Sequence, residues 1–316
     1  MSIDANSDAS HLIPANGKLR RSRRLWRILF FLALAVAVIA MGARFGMERG
    51  GIGDRIARIN VDGTIASDPA RLKAINALAE NDQVKAVIVS INSPGGTTAG
   101  GEELYEALGA LRAKKPVVAV VKELGASAAY MTAIGADRIF ARRLSIVGSI
   151  GVLFQTVDAS KLMQTVGVDL DKVASGPLKA EPDIDEPMSP EVRASIAQLV
   201  NDSFNWFVDI VAERRGIERP TALALADGRI LTGRMALQDK LIDDIGGEDE
   251  AQAWLESEKG VAADLPVSTA YPPPDSGEPL IWRLIGGQVR GMLGLPQQGP
   301  IALDGLVSLW HATPSL

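Results

Sequence analysis

No cysteine occurs in the 316 residues, and there are only two histidines, His11 and His311. The first absence removes thiolate zinc sites, iron-sulfur clusters, cysteine nucleophiles and disulfides together, and leaves the redox state of the compartment open. Both histidines stand close to a terminus, where chains are usually poorly ordered. Neither a Ser-His-Asp triad nor a histidine metal site is therefore expected, and no metal or cofactor is called for. What remains is 47% hydrophobic and 22% charged, the make-up of a chain that can bury an ordinary core. Its length allows one large domain or two small ones.

The net charge of -5 hides an asymmetry. Residues 1–47 hold seven Lys/Arg against Asp4 and Asp8, and the rest of the chain holds 26 basic and 36 acidic residues. An acidic body is a poor partner for a phosphate backbone, so nucleic-acid binding is not expected. The basic head reads as a membrane segment. Lys18, Arg20, Arg21, Arg23, Arg24 and Arg27 precede the uncharged run ILFFLALAVAVIAMGA, from Ile28 to Ala43. At 1.5 Å per residue that run spans roughly 24 Å of a hydrocarbon core about 30 Å thick. Leu25, Trp26 and snorkelling by Arg27 and Arg44 close the gap. The expected organisation is a basic cytoplasmic segment over 1–24, a transmembrane anchor over 25–44, a linker over 45–54 and the body across the membrane. Ala40-Met41-Gly42 keeps a cleaved signal peptide open as the alternative.

From Arg55 the pattern changes to alternating strands and helices, the mark of an α/β fold. RIARINV (55–61) reads as a strand, and residues 69–80 as a helix capped by Ser67 or Asp68, with Pro69 in its first turn. VKAVIVSIN (84–92) and VVAVV (117–121) are apolar enough to be buried on both faces. Between them lie the loop SPGGTTAGG and a helix over 102–113. A short helix is expected over 126–134, strands over 138–141 and 145–154, a helix near 158–166 and another strand ending near Val173. A long helix opens at Ser189-Pro190-Glu191 and runs to about Arg215. The body is placed at 55–255, followed by a Pro/Gly-rich tail over 256–316 that carries one apolar patch, IWRLIGGQVRGMLGL.

Candidate chemistry concentrates where backbone can approach a ligand. Gly95 and Gly96 follow a buried strand and can present an unhindered N–H at its carboxyl end, where open α/β sheets bind ligands. Taken alone, a Pro-Gly pair is more often a plain turn. Ser127 stands among small residues in Gly125-Ala126-Ser127-Ala128-Ala129, between a buried strand and a helix start. A hydroxyl there can meet an acyl substrate beside the positive end of a helix, or can simply cap the helix. A serine nucleophile needs a base, and lysine is the substitute where histidine is absent. Lys179, in Ser175-Gly176-Pro177-Leu178-Lys179-Ala180, lies in an irregular stretch suited to that role, although most lysines are solvated surface charges.

Taken together, INSPGGTTAGGEELYEAL, ASAAYMTAIGAD, VGSIGV and SGPLKAEPDIDEPMSPEVR resemble the signal peptide peptidase A family of membrane-anchored bacterial serine peptidases. GRILTGRMALQDKLIDDIGG (228–247) is similar to that family's closing segment, and the resemblance covers about Arg55 to Gly247. It implies a crotonase/Clp-protease-like fold of repeated βα layers. It also implies Ser127 as nucleophile, Lys179 as general base, Ser149 as the hydroxyl holding the lysine amine, and an oxyanion hole from the N–H groups of Gly96 and Ala128. An amine acts as base only where desolvation disfavours its charged form. Leu178 and Pro177 offer apolar surroundings, and Glu181, Asp183, Asp185 and Glu186 are expected to point into solvent rather than at the amine. The family usually has glycines where Ala128 and Ala129 stand, so the extra methyl groups are expected to narrow the approach. It also tends to have Leu-Gly-Leu where this chain has Asp239-Lys240-Leu241.

The function implied is a membrane-anchored endopeptidase that cuts hydrophobic peptides, cleaved signal peptides above all, through an acyl-enzyme. By the same resemblance it forms a homo-oligomeric ring, an octamer, in the bacterial inner membrane, with its N-terminus cytoplasmic and its catalytic domain on the periplasmic side. Two other classes fit less of the sequence. A catalytically inactive membrane scaffold needs none of the motifs, and a crotonase-type acyl-CoA enzyme would need a carboxylate beside the Gly-Gly backbone.

Overall fold

A computed structural model describes residues 26–37, 53–272 and 306–309, and the chain divides into two units, Met1–Gly53 and Asp54–Leu316. In the first unit, residues 26–37 form a helix, α1, with exposed side chains. Among the described residues no helix is long and apolar enough to cross a membrane. The rest of the expected span, 25 and 38–44, lies outside the described residues, as do segment 1–24, residues 45–52, both histidines and the apolar patch at 281–295.

The second unit runs β1 (Arg55–Asp62), α2 (Pro69–Glu80), β2 (Val84–Ser93), β3 (Gly95–Thr97), α3 (Thr98–Arg112), β4 (Val117–Ala126) and α4 (Ala128–Ala133). It continues with β5 (Arg138–Ala141), β6 (Ile146–Gly148), β7 (Leu153–Phe154), α5 (Ser160–Val166), α6 (Pro190–Arg215), α7 (Arg219–Leu225) and β8 (Ile230–Thr232). Then come α8 (Gly233–Gln238), β9 (Asp244–Ile245), α9 (Glu248–Lys259), β10 (Val267–Tyr271) and β11 (Leu306–Leu309).

The main sheet has the order β10-β1-β2-β4-β5-β9, each neighbouring pair parallel. A parallel sheet must be covered on both faces, and alternation along the strands divides the residues between two cores. Ala57, Ile59, Val87, Val89, Val117 and Ala119 pack in one cluster with residues of α2, α3, α4 and α6. Ile56, Ala86, Ile88, Val118 and Val120 pack on the other face with Ala251 and Leu255 of α9. The run VKAVIVSIN is thus apolar at every buried position from Ala86 to Ile91 except Ser90, because both of its faces are inside.

Helix starts follow local chemistry. The Asp68 carboxylate accepts from the N–H groups of Ala70 (3.0 Å) and Arg71 (3.1 Å) ahead of α2, which satisfies donors a helix start otherwise leaves unpaired. The Ser189 hydroxyl accepts from Val192 N–H (3.2 Å) at the head of α6, and Gly216, at φ 60°, ends that helix. Helix α3 begins at Thr98, four residues before the expected start, because the Thr97 hydroxyl accepts from Gly100 N–H (2.9 Å). The two glycines that looked like loop are its first turn. A Cβ on Gly100 would lie 2.9 Å from Ala66 backbone, so the glycine permits a close approach.

Three expectations change. SIVGSIGVLF is two short strands, β6 and β7, since Gly148 (φ 91°) and Ser149 (φ 52°) turn the chain between them. No strand ends near Val173: residues 167–180 contain none, and Val168, Leu170 and Val173 are exposed. Val267–Tyr271, read as part of the tail, adds to the sheet edge beside β1.

Candidate active site

Strand β4 divides its pairing. Val118 to Val121 run beside β5, and Leu124 to Ala126 run beside β6. That division brings Ser127, at the carboxyl end of β4, against the end of β6, where its N–H donates to the Gly148 carbonyl (2.8 Å). The chain turns from strand to helix at Ser127 itself, with φ 61° and ψ -123°. A non-glycine residue in such a region costs on the order of 1–3 kcal/mol, and such residues cluster at functional sites. Ser127 is 1% exposed, and its carbonyl accepts from Met131 N–H (2.9 Å), closing the first turn of α4. Its hydroxyl makes no capping bond to α4. The plain helix-cap reading required that bond.

Ala128 and Ala129 follow at 0% exposure. A Cβ on Gly101 of α3 would come within 3.0 Å of the Ala128 Cβ and 2.9 Å of the Met131 sulfur, so the Ala128 methyl occupies the space that Gly101 leaves. The expected narrowing of the approach by that methyl does not follow, because it is turned towards α3.

Gly96 is held on the neighbouring strand end, since β2 pairs with β4 up to Ser93 opposite Gly125. Ile65 N–H donates to the Gly95 carbonyl (2.8 Å) and Thr97 N–H donates to the Ile65 carbonyl (2.9 Å). A Cβ on Gly96 would sit 1.8 Å from the Ile65 oxygen, so this backbone approach admits glycine alone. Ser149 is fixed from the other side, its N–H donating to the Arg229 carbonyl (2.8 Å) next to β8. Gly96, Ser127, Ala128 and Ser149 therefore stand at the carboxyl ends of adjacent segments, each tied by backbone bonds. Sequence reading missed Gly148 and Arg229, whose carbonyls do the tying. The signal for Gly148 was present in VGSIGV, where φ 91° makes glycine the natural residue.

Lys179 is placed differently. It is exposed, and its amine takes no hydrogen bond or ion pair among the described residues. Leu178 is 47% exposed and Pro177 is exposed too, so the apolar surroundings expected of them are not supplied within one chain. The nearby acids turn to another partner: Glu181 and Asp183, both half-buried, pair with the Lys172 amine, and Glu186 lies 4.0 Å from it. The hydrogen bonds that the Lys172 amine donates to Asp183 and Glu181 hold it well above its usual range. The expectation of solvent-facing acids holds for Glu186 alone, yet the constraint behind it is met, since none of the four is paired with Lys179.

Beside the turn lies a cavity of about 310 Å³, lined by Thr98, Ala99, Glu102, Met131, Asp202 and Trp206 among others. Met131 lies one helical turn beyond Ser127, and Thr98 two residues beyond Gly96.

The sequence pattern of peptidase family S49 matches residues 109–262. A protein of Synechocystis sp. named as a protease is 36% identical over 236 residues, 74% of this chain and 83% of that one. A protein of Enterococcus faecium named as a signal peptide peptidase is 29% identical over 227 residues, 67% of this chain and 66% of that one. A chloroplast serine protease of Arabidopsis thaliana is 28% identical over 226 residues, 70% of this chain and only 33% of its own length.

Proposed function

We propose, from the premise that this chain belongs to peptidase family S49, the signal peptide peptidase A family, that it is a membrane-anchored endopeptidase working through Ser127 and Lys179. The observation that carries the reading is Ser127 itself: a buried hydroxyl on a strained strand-to-helix turn that does not cap its helix. Strain of that kind persists only where the surroundings over-determine it, and here Gly148 and Met131 do so.

In the proposed cycle the Ser127 Oγ attacks a peptide carbonyl carbon while its proton passes to neutral Lys179 Nζ. The carbonyl oxygen becomes an oxyanion, held by Gly96 N–H and Ala128 N–H. Collapse breaks the C–N bond, and the leaving amine takes the proton from Lys179. Water, deprotonated by the same amine, then attacks the acyl-enzyme and releases the acid with Ser127 restored. Ser149 orients the amine. The preference for hydrophobic peptides such as cleaved signal peptides rests on the family resemblance, since the cavity beside Met131 and Trp206 also presents Glu102, Asp202 and Ser203.

Lys179 reaches the site through assembly. Its segment exposes Val157, Leu162, Val166, Val173, Leu178 and Ile184, apolar surface that a ring of subunits would cover. Closed rings use heterologous interfaces, so one subunit's serine can meet its neighbour's lysine. Membrane attachment rests on the basic flank and apolar run of residues 18–43, which direct the body to the periplasmic side of the inner membrane.

The test is peptidase activity, with a fluorophosphonate label on Ser127. Ser127→Ala and Lys179→Ala are each expected to abolish turnover. A mixture of the two dead variants, assembled together, should recover activity at junctions that pair an intact serine with an intact lysine. Lys179→Ala retaining a tenth of wild-type activity would overturn the base assignment, and a silent mixed assembly would overturn the shared site. A scaffold would give neither label nor turnover.

A further inference from the structure

The loop between β1 and α2 is tied at more points than a turn requires. Its Ile65 brackets Gly96, through the N–H it donates to Gly95 and the carbonyl that accepts from Thr97. In a trans peptide the C=O and N–H lie on opposite sides of the chain, so with the Gly95 carbonyl turned to Ile65, Gly96 N–H is aimed away from it. The residues after Ile65 are held from two helices. Arg71, in the first turn of α2, donates from Nη2 to the Ala66 carbonyl (2.7 Å). Glu103, on α3, accepts from the Ser67 hydroxyl at Oε2 (2.6 Å) and from Asp68 N–H at Oε1 (3.2 Å). Helix α3 starts at Thr98, directly after β3. Glu103 therefore closes a circuit in which β3 leads into α3, α3 holds Ser67 and Asp68, and Ile65 returns to β3.

The Arg71 tie is an expensive way to fasten a loop. Arg71 is 7% exposed, and its Nε is buried with no hydrogen-bond partner among the described residues. A buried donor on a charged group that is left unpaired lowers stability, and an apolar side chain of similar length would avoid that loss. A group that weakens the fold yet fixes backbone beside the reacting atoms fits a support for function.

We infer that Arg71 and Glu103 are positioning residues of the oxyanion hole: by fixing residues 66–68 from α2 and α3 they set the place of Ile65, and through it the direction of Gly96 N–H. The inference rests on the serine-peptidase reading, which assigns that N–H to the oxyanion. Both side chains act through backbone bonds rather than on the substrate. Such a hole works only where its donors are held to within about 0.5 Å before the charge develops.

The test uses the full-length chain. Arg71→Met keeps the length and removes the donors, whereas Arg71→Lys keeps a donor for the Ala66 carbonyl. Glu103→Leu removes both acceptors, whereas Glu103→Gln keeps a carbonyl for Asp68 N–H and offers its amide N–H to the Ser67 oxygen. With a fluorogenic peptide, Arg71→Met and Glu103→Leu should each lower kcat about tenfold, a part of the 10²-fold that a full 1 Å displacement costs, and leave KM unchanged. Arg71→Lys and Glu103→Gln should stay within about threefold of wild type, since their hydrogen bonds survive. Arg71→Met should also melt no lower than wild type, because it removes the unpaired buried donor. Amide hydrogen exchange at Ile65 and Thr97, measured without substrate, should quicken in Arg71→Met and Glu103→Leu alone. Unchanged exchange in those two variants would overturn the inference, as would wild-type kcat in variants whose exchange has quickened, or a loss confined to KM. An Arg71→Met chain that melts lower and turns over at the wild-type rate would make the residue a structural one and overturn it too. Quickened exchange in the variants of a chain whose wild type shows no turnover would count against the peptidase reading and leave the hold on β3 standing.

Discussion

Adding one methyl group at Gly96 should separate the proposed oxyanion hole from the stability of the fold. Its Cβ would stand 1.8 Å from the Ile65 carbonyl oxygen and 2.5 Å from the Ile65 carbonyl carbon, whereas real Cβ contacts do not fall below 3.0 Å. The obstacle is backbone, so no side chain can swing away, and the strand carrying Gly96 must retreat from Ile65 by about 1.2 Å. Two bonds bracket that contact, Ile65 N–H to Gly95 and Thr97 N–H to Ile65. Losing both costs about 2 kcal/mol, or about 5 °C in melting temperature for a body of this size. Displacing the Gly96 N–H by about 1 Å costs on the order of 10²-fold in rate, and losing it as a donor costs 10²- to 10³-fold. Gly96→Ala is thus expected to fold, to melt somewhat earlier and to lose at least about 99% of kcat/KM. Gly109, on α3 with nothing within 4 Å of its would-be Cβ, is the control. Gly109→Ala should keep full activity and gain roughly 0.5–1 kcal/mol, since alanine favours the helix. A Gly96→Ala enzyme within threefold of wild-type kcat/KM would refute the oxyanion role whatever its melting temperature.

Three further substitutions probe other parts. Ser127→Gly should abolish activity yet raise stability by about 1 kcal/mol in chemical denaturation, as glycine accepts φ 61° without strain, whereas Ser127→Ala keeps the strain and should not stabilise; a destabilised glycine variant would show that the turn is not strained. Tyr130→Phe should lower stability by about 1–3 kcal/mol, because the wholly buried Tyr130 hydroxyl donates to the Leu241 carbonyl (2.7 Å) and phenylalanine leaves that acceptor unpaired; thermal melting reads it directly. Asp68→Ala should cost about 1 kcal/mol through the lost cap of α2. Burial works to raise the Asp68 carboxyl, but hydrogen bonds from Tyr271 and from the Arg71 and Ala70 backbone, with the Arg71 charge, hold it below its usual range. A depressed carboxyl contributes fully above its unfolded value near 3.9 and loses that contribution as pH falls through the folded value. The melting difference between wild type and Asp68→Ala should therefore hold at pH 6 and shrink below about pH 4; a difference that grows in acid would reverse the sign.

What could be read from sequence divides along physical lines. The bounds of α2 follow from Asp68, Pro69 and the apolar spacing behind them, and β2 from an unbroken apolar run, because those signals are local. Gly100 and Gly101 misled because glycine marks both a loop and a close approach, and only the packing of α3 on Ala66 and Ala128 separates the two. The break in SIVGSIGVLF was hidden because Ser149 adopts a positive φ, which its residue type does not announce. Lys240, at φ 60°, likewise takes the left-handed conformation that the family's usual glycine would adopt freely. Motif reading picked out Ser127 and Gly96 by residue type. It left out the Gly148 and Arg229 carbonyls, which act through backbone and carry no side-chain signature. The pairing of β11 with β3 joins segments some 210 residues apart, and no local pattern encodes it.

The two halves of the proposed dyad differ in what holds them, and that difference bears on how the enzyme would be switched on. Ser127, Ala128 and Gly96 are buried and tied by backbone bonds, so their geometry exists before any substrate or partner arrives. Lys179 stands exposed in a segment whose apolar side chains also face solvent. An amine in water is charged at neutral pH and cannot accept a proton, and only desolvation makes it a base. Covering Val173, Leu178 and Ile184 would also remove water from the neighbourhood of the amine, at roughly 25 cal/mol for each Å² of apolar surface buried. Apolar burial at such an interface would thus offset the cost of taking the amine out of water. Serine chemistry would then be confined to assembled enzyme, leaving a lone subunit inert with its nucleophile already in place. Dilution should test this directly: specific activity should fall as the assembly dissociates, while the melting temperature of the body, whose core is internal to each chain, should change much less. Specific activity that stays constant down to monomer would place the base within one subunit and separate desolvation from assembly.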